Sequence, residues 1–276
     1  ASRAFAYIGL AAYEAAVPGM PEHLSLETSF PGLSIPEFSS TQEHHWGAAV
    51  NTAYATIIRS FYPHIKEAYK AKINSLEQRY NEIFSEGASE AAINNGISFG
   101  RSVAINVFNY SETDIMGHDK YKDPRPATYV PPVTGPNGER LWQPTWPDYT
   151  SALFPYWGKV RAFAIKEEDK IARPPIAWSE DPNSMFYQQA KEIKIWVERS
   201  TDQDRWIAEF WSDDIFELTF EPAARIISLA QQMSREEKLS LAQAVVLYGK
   251  LGMAICDAGI AVWNSKYYYN VERPVD

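Results

Sequence analysis

The sequence predicts an all-α protein, a helical bundle with one long aromatic, proline-rich insertion. Three observations support this fold class: apolar residues recur at helical spacing over most of the chain, helix-capping patterns precede several of these segments, and the composition changes abruptly over residues 109–182. We interpret residues 1–276 as a single helical domain in which residues 109–182 form an irregular insertion.

The first two predicted helices lie before residue 62. Residues 2–17 are alanine-rich and apolar nearly all round, which is typical of a buried helix. Residues 39–41, Ser-Ser-Thr, are followed by Glu43 in capping-box fashion, so we expect the second helix to open there and to run to about Phe61.

Two further helices are expected before the insertion. One begins at Pro63 and carries apolar residues at helical spacing as far as Ile83. The other covers residues 88–108, where Gly96 and Gly100 lie four residues apart on one face. These two glycines predict that another helix approaches closely at this face.

After the insertion, helices are predicted over residues 183–200, 201–213, 221–233 and 234–269. Thr201 and Ser234 are the expected N-caps, because acidic residues follow each of them in the first turn.

The insertion is expected to be ordered, since disordered segments contain few aromatic residues. We favour packing of its aromatic side chains onto their own domain over stacking on a ligand. The residues concerned are Trp142, Trp146, Tyr149, Phe154, Tyr156 and Trp157.

Composition restricts the partners and the compartment. The formal net charge of −9 argues against nucleic acid as a partner, and no uninterrupted apolar run reaches the length of a membrane span. The lone Cys256 lies in an apolar segment, so we expect a buried, inert thiol. The first residues already have the pattern of a helix interior, so a periplasmic or secreted location would require a signal removed upstream. The sequence leaves a homo-oligomer as an open alternative to a monomer.

The last residues contain the strongest candidate for a site. Lys266 and Arg273 are seven residues apart, which is almost two turns of a helix, so both would project from one face. Pro274 should end or kink this helix. Both side chains are cationic near neutral pH, and the arginine fork suits a tetrahedral oxyanion such as phosphate or vanadate. On the residues alone, a solvated helix face is the alternative.

Other candidates for chemistry have simpler explanations. The five histidines are His23, His44, His45, His64 and His118, and no pair has metal-ligand spacing, so capping or surface roles are favoured. Glu209, Asp213 and Asp214 could pair as acid and base or hold a cation, but a solvated helix end is the preferred interpretation.

Residues 257–275, from Asp257 through Lys266 to Arg273-Pro274, resemble the first oxyanion motif of the vanadium-dependent haloperoxidases. This family shares a superfamily with type 2 phosphatidic acid phosphatases and bacterial acid phosphatases. Further similarity to the bacterial haloperoxidase-like branch occurs in order along the chain, at residues 2–14, 96–104, 142–146 and 207–211.

The resemblance implies an α-helical bundle that holds vanadate or phosphate through Lys266 and Arg273. In the peroxidases, bound vanadate would activate hydrogen peroxide to oxidise a halide. In the phosphatases, the same cations would stabilise phosphoryl transfer to water from a phosphomonoester. The small-molecule substrate is not identified by the resemblance.

Two motifs of the family are absent from this sequence. Neither Pro-Ser-Gly-His nor Ser-Arg followed six residues later by histidine occurs, because Ser2-Arg3 and Ser234-Arg235 lack that histidine. The catalytic residues are therefore unknown. We expect both motifs to lie downstream of Asp276 and the chain as written to have no turnover. The remaining alternatives are an acid phosphatase of the same superfamily and a non-catalytic helical binding protein that uses its aromatic loop.

Overall fold

A computed structural model describes residues 1–136, 138–212 and 221–273, and it confirms the all-α fold class. Within these ranges two isolated β-bridges, Thr134–Arg140 and Leu141–Val271, are the only extended pairing. The α-helices of the described residues are α1 (Ser2–Ala16), α2 (Trp46–Phe61), α3 (Glu67–Ser85), α4 (Glu90–Glu112), α5 (Ile115–Lys120), α6 (Met185–Arg199), α7 (Asp202–Trp211), α8 (Pro222–Glu236) and α9 (Leu241–Tyr269).

Helix α1 lies at the centre of the core and packs against α9, α2 and α4. Its alanines present little bulk, and Tyr7 and Leu10 are fully buried. Helix α1 approaches α9 closely at Gly9, where a Cβ atom would lie 2.8 Å from the Tyr248 backbone oxygen. The prediction that residues 2–17 form a buried helix is confirmed.

The predicted close helix contact at Gly96 and Gly100 is also confirmed. A Cβ atom at Gly96 would lie 2.5 Å from the backbone oxygen of His45, and one at Gly100 would overlap the backbone of Ala49. Helices α2 and α4 therefore pack backbone against backbone, which only residues without a Cβ allow at these two points.

The capping box predicted at residues 39–43 is wrong, because α2 begins at Trp46 and its N-cap is His45. The Nδ1 atom of His45 accepts the Ala48 amide at 3.0 Å. Glu43 instead accepts a hydrogen bond from the Ser89 hydroxyl at 3.2 Å, which ties the segment before α2 to the start of α4.

Two other predicted starts are displaced. Helix α3 begins at Glu67, four residues after Pro63, since residues 63–65 form a turn and a bend. Ser234 lies inside α8, where its hydroxyl donates to the Ala230 oxygen, and α9 is capped instead by Ser240 with Gln243 in a reciprocal capping box. The predicted capping box at Thr201 is confirmed at the start of α7.

Helix α9 is long and apolar enough, by length and composition, to cross a membrane. A core helix of a soluble protein meets the same two criteria, and here α1 packs along α9.

Cys256 is completely buried in this helix, and burial raises the pKa of its thiol to about 12, as expected for an inert cysteine.

The insertion packs onto α9. The buried carboxylate of Asp257 accepts the backbone amides of Phe163, Ala164 and Ile165 at 2.8, 2.7 and 3.1 Å. The Trp263 indole donates to the Leu153 oxygen at 3.0 Å. Of the aromatic side chains predicted to pack onto the domain, Trp157 packs against the buried cluster that contains Val160, Cys256 and Ile260, whereas Trp146 and Tyr149 stay 73% and 64% exposed.

Helices α6 and α7 contain no buried residue among those described, and they expose Trp196, Trp206 and Trp211. Asp213 and Asp214, considered above as an acid and base pair with Glu209, lie outside the described residues.

Candidate oxyanion site at the end of the last helix

The last helix ends before Arg273. Helix α9 stops at Tyr269, and Asn270 adopts the left-handed conformation with φ 46° and ψ 44°. Asparagine is one of the few residues that tolerate this backbone conformation, so it terminates the helix readily. The prediction that Lys266 and Arg273 share one helix face is therefore wrong, and Pro274 lies outside the described residues.

The segment after α9 is held by the insertion instead of by helical geometry. The Trp142 amide donates to the Asn270 oxygen at 2.9 Å, and Leu141 pairs with Val271 in a β-bridge. Glu272 is buried and forms an ion pair with Arg140 at 3.0 Å. These contacts fix residues 270–272 to residues 140–142 of the insertion.

As a result, Lys266 and Arg273 line the same cavity, although they come from different structural contexts. The cavity has a volume of about 780 Å³ and lies between the C-terminal part of α9 and the insertion. The Arg273 guanidinium lies 5.9 Å from the centroid of the Trp142 ring, and one of its nitrogens donates to the Thr145 hydroxyl at 3.4 Å.

Lys266 lies beside an aromatic ring and not beside a carboxylate in the part of the chain that the structure describes. Its ammonium lies 5.4 Å from the centroid of the Trp263 ring, and no carboxylate pairs with it among the described residues. Although Lys266 is exposed, partial desolvation and then the positive charge of Arg273 lower the pKa of its ammonium. An anion between the two cations would favour the charged ammonium and so act against this lowering of the pKa.

The cavity is cationic in an acidic protein. Arg125 and Arg173 also line it, and Asp169 is the one acidic side chain among its described lining residues. Asp169 accepts the Lys166 amide at 3.1 Å, so it is already engaged. Four cations against one carboxylate give a local positive field, although the whole chain carries −9.

Sequence reasoning missed several residues of this cavity. Arg125 and Arg173 come from the irregular insertion, where no periodicity indicates which side chains meet. The sequence indicates Trp142 only as an aromatic residue of the insertion, and Asn270 only as a residue within the closing motif. A turn-forming asparagine between two cations was the one signal that could have placed the end of the helix earlier.

Two buried donors in this wall have no partner. The Nδ2 atom of Asn270 and the Nε1 atom of Trp142 are inaccessible to solvent and make no hydrogen bond among the described residues. Asn270 as a whole is only 6% exposed. Such groups are rare in folded proteins because burying an unpaired donor costs about 1–3 kcal/mol.

The comparisons with known proteins agree with this architecture. No family model matches the sequence, and no curated protein matches it. A crystal structure described as the first bacterial vanadium-dependent iodoperoxidase is similar over 99% of this chain, with a TM-score of 0.78 and 26% sequence identity. The chain has the haloperoxidase fold. It spans 65% of the length of that iodoperoxidase chain.

The resemblance noted from the closing motif is thereby confirmed at the level of the whole fold. The cavity lining contains no histidine among the described residues. Its hydroxyls are largely engaged: Tyr267 and Tyr269 donate to the Leu153 and Ala172 oxygens, both at 2.7 Å. In the described part of the chain, no group of three or more His, Cys, Asp and Glu residues is arranged to hold a metal ion.

Proposed function

We propose that this chain binds a tetrahedral oxyanion, vanadate or phosphate, between Lys266 and Arg273, as the anion-binding part of a vanadium-dependent haloperoxidase-like enzyme. The observation that carries the proposal is the convergence of these two cations in one cavity of a haloperoxidase fold, with no carboxylate paired to either among the described residues.

The two cations are suited to complementary tasks. The Lys266 ammonium is a compact charge that can approach one oxygen, while the Arg273 fork can contact two oxygens at once. Trp142 and Thr145 contact the guanidinium, and its other N–H groups have no hydrogen-bond partner among the described residues. This preorganisation reduces the entropy that the arginine loses when an anion binds.

Vanadate suits this cavity because its oxygens can accept hydrogen bonds from the cationic side chains that line it. When bound in a haloperoxidase, vanadate supplies the activation of hydrogen peroxide for halide oxidation. Among the described lining residues, no histidine is present to bind the vanadium or to transfer a proton. We therefore expect binding without turnover from the 276-residue chain.

The binding step is tested by titrating the chain with vanadate and with phosphate, using isothermal titration calorimetry. Lys266→Met should weaken binding of both anions about tenfold or more, because a hydrogen bond to a charged group contributes about 1.5–3 kcal/mol. Lys250→Met is the matched control, since Lys250 is an exposed lysine of the same helix. Equal affinity of wild type and Lys266→Met would contradict the proposal.

Two activity assays separate the branches of the superfamily. Iodide and bromide oxidation with hydrogen peroxide is measured with and without vanadate, and hydrolysis of p-nitrophenyl phosphate is measured in parallel. We expect neither activity from the 276-residue chain. Vanadate-dependent halide oxidation by this chain would show that its own residues complete the chemistry.

A further inference from the structure

We propose that the cavity takes an organic oxyanion with a second anionic group, and that Arg173 binds this second group while Lys266 and Arg273 bind the first. The ligand class is a phosphate or phosphonate whose carbon chain also carries a group such as a carboxylate. This inference rests on the proposed function, and it goes beyond that function by assigning a role to a cation outside the closing motif.

The cavity is much larger than one tetrahedral oxyanion. Its volume of about 780 Å³ lies within the range of about 300–1,000 Å³ that is typical of sites for organic ligands. A phosphate or vanadate ion consists only of one central atom and its oxygens, so it would fill a small part of this space. The rest of a larger molecule, attached to the oxyanion, can therefore enter the same cavity.

One segment of the insertion is fixed to α9 immediately before Arg173. The Ala172 amide donates to the Ser265 hydroxyl oxygen at 2.8 Å, and the Tyr269 hydroxyl donates to the Ala172 oxygen at 2.7 Å. Pro174 follows Arg173 and restricts its backbone to extended conformations. The neighbours on both sides therefore fix the position of Arg173 in the cavity lining.

Lys266 leaves α9 between this segment and a second one. Trp263 and Tyr267 lie four residues apart on another face of α9, and both donate to the Leu153 oxygen, at 3.0 and 2.7 Å. Lys266 follows Ser265 and precedes Tyr267, so its side chain projects between the faces that hold the two segments. The segment that contains residue 173 thus lies on one side of the ammonium.

Arg173 has no anionic partner in the described part of the chain. No hydrogen bond or ion pair there involves its side chain, and Asp169, the one acidic residue of the described lining, accepts the Lys166 amide instead. Arg125, which also lines the cavity, already donates to the Ser151 oxygen. Arg173 is therefore the cation that a second anionic group of a ligand would pair with.

Other lining residues suit a carbon chain between the two anionic groups. Ala261, Val262 and Pro175 line the cavity without a side chain that can form hydrogen bonds, and the Val262 side chain is exposed. A carbon chain would remove part of this apolar surface from water, which is favourable. An inorganic ion would leave the same surface in contact with solvent, so the lining favours an organic ligand.

Calorimetric titrations with methylphosphonate and with phosphonocarboxylates test the inference. Methylphosphonate carries one anionic group, whereas phosphonoacetate, phosphonopropionate and phosphonobutyrate add a carboxylate at increasing distance. We expect at least one of these three to bind wild type about tenfold more tightly than methylphosphonate, because the added carboxylate would accept charge-assisted hydrogen bonds from a guanidinium. No gain in affinity with any of the three would overturn the inference.

Arg173→Met assigns the gain to one side chain. It should remove the gain from the carboxylate and leave methylphosphonate affinity unchanged, because the two cations of the closing motif still hold the phosphonate. Arg79→Met is the matched control and should bind every ligand as wild type does, since Arg79 is an exposed arginine of α3, no residue of which lines the cavity. An equal loss of affinity for both kinds of ligand in Arg173→Met would indicate a structural role and would overturn the inference.

The outcomes separate this inference from the proposed function. If Lys266→Met binds methylphosphonate as wild type does, the proposed function fails. If Lys266→Met weakens methylphosphonate binding but Arg173→Met keeps the full gain from the carboxylate, the oxyanion site stands and the second subsite is refuted.

Discussion

The contact between α1 and α9 can be tested by two glycine substitutions in the same helix. In Gly252→Ala, the new Cβ would lie 2.5 Å from the Phe5 backbone oxygen and 2.8 Å from the Phe5 carbonyl carbon. In Gly259→Ala, the nearest atom would be the Ser2 hydroxyl oxygen at 3.6 Å, which is an ordinary contact. Both glycines lie within α9, so the two substitutions gain the same intrinsic helix propensity.

The expected effects have opposite signs. Gly259→Ala should raise the free energy of unfolding by up to about 1 kcal/mol, the propensity difference between glycine and alanine. Gly252→Ala gains the same helix propensity, but its Cβ meets the backbone of α1, which cannot rotate away as a side chain can. That backbone must move by about 0.9 Å to restore van der Waals contact. Overpacking of this kind costs about 3 kcal/mol at the upper end of its usual range, so the net loss should be about 2 kcal/mol.

Urea unfolding followed by far-ultraviolet circular dichroism measures both variants against wild type. The free energies of unfolding of the two variants should differ by about 3 kcal/mol. This difference is well above the error of extrapolation to zero urea when both variants have the same denaturant slope. Equal stability of Gly252→Ala and Gly259→Ala would refute the backbone contact between α1 and α9.

Three further predictions concern groups near the site. Asp257→Asn should lower the free energy of unfolding by about 3 kcal/mol and increase amide exchange at residues 163–165, because the carboxylate accepts three backbone amides there; unchanged exchange would contradict this. Folding lowers the pKa of Lys266, so as pH rises the folded chain loses this proton before the unfolded chain does. The contribution of Lys266 to stability should therefore rise with pH through that window while phosphate affinity falls. It is measured by urea unfolding and calorimetry as the difference between wild type and Lys266→Met, because Cys256 and the buried tyrosines, whose pKa values burial raises, act with the opposite sign in both proteins. Cys256, with its pKa raised to about 12, should not react with Ellman's reagent at about pH 8 until urea unfolds the chain, whereas rapid reaction of the native protein would show an accessible thiol.

The helices were largely predictable because apolar spacing is a local signal. Residues 2–17 are apolar nearly all round and form the buried α1, and the glycine pair at 96 and 100 marks a real backbone contact. Helix starts were less predictable, since tertiary contacts decided them. Glu43 had the spacing of a capping box, yet its carboxylate bonds to Ser89, which is distant in sequence.

The candidate site was predictable in its two cations and not in their geometry. The spacing predicts that Lys266 and Arg273 share one face of an uninterrupted helix. In the structure, the two residues line one cavity because of a left-handed turn at Asn270 and contacts with the insertion. Arg125, Arg173 and the Trp142 donor belong to an irregular segment whose position depends on long-range hydrogen bonds. No local pattern encodes which of its side chains face α9.

The location of a bound oxyanion tests the central claim most directly. Tungstate has the tetrahedral shape of phosphate and a strong anomalous signal, so crystals of the 276-residue chain soaked in tungstate would locate it without ambiguity. We predict one tungstate within hydrogen-bond distance of the Lys266 ammonium and the Arg273 guanidinium. Tungstate bound elsewhere, with this cavity empty at a concentration that saturates other sites, would contradict the assignment of the site.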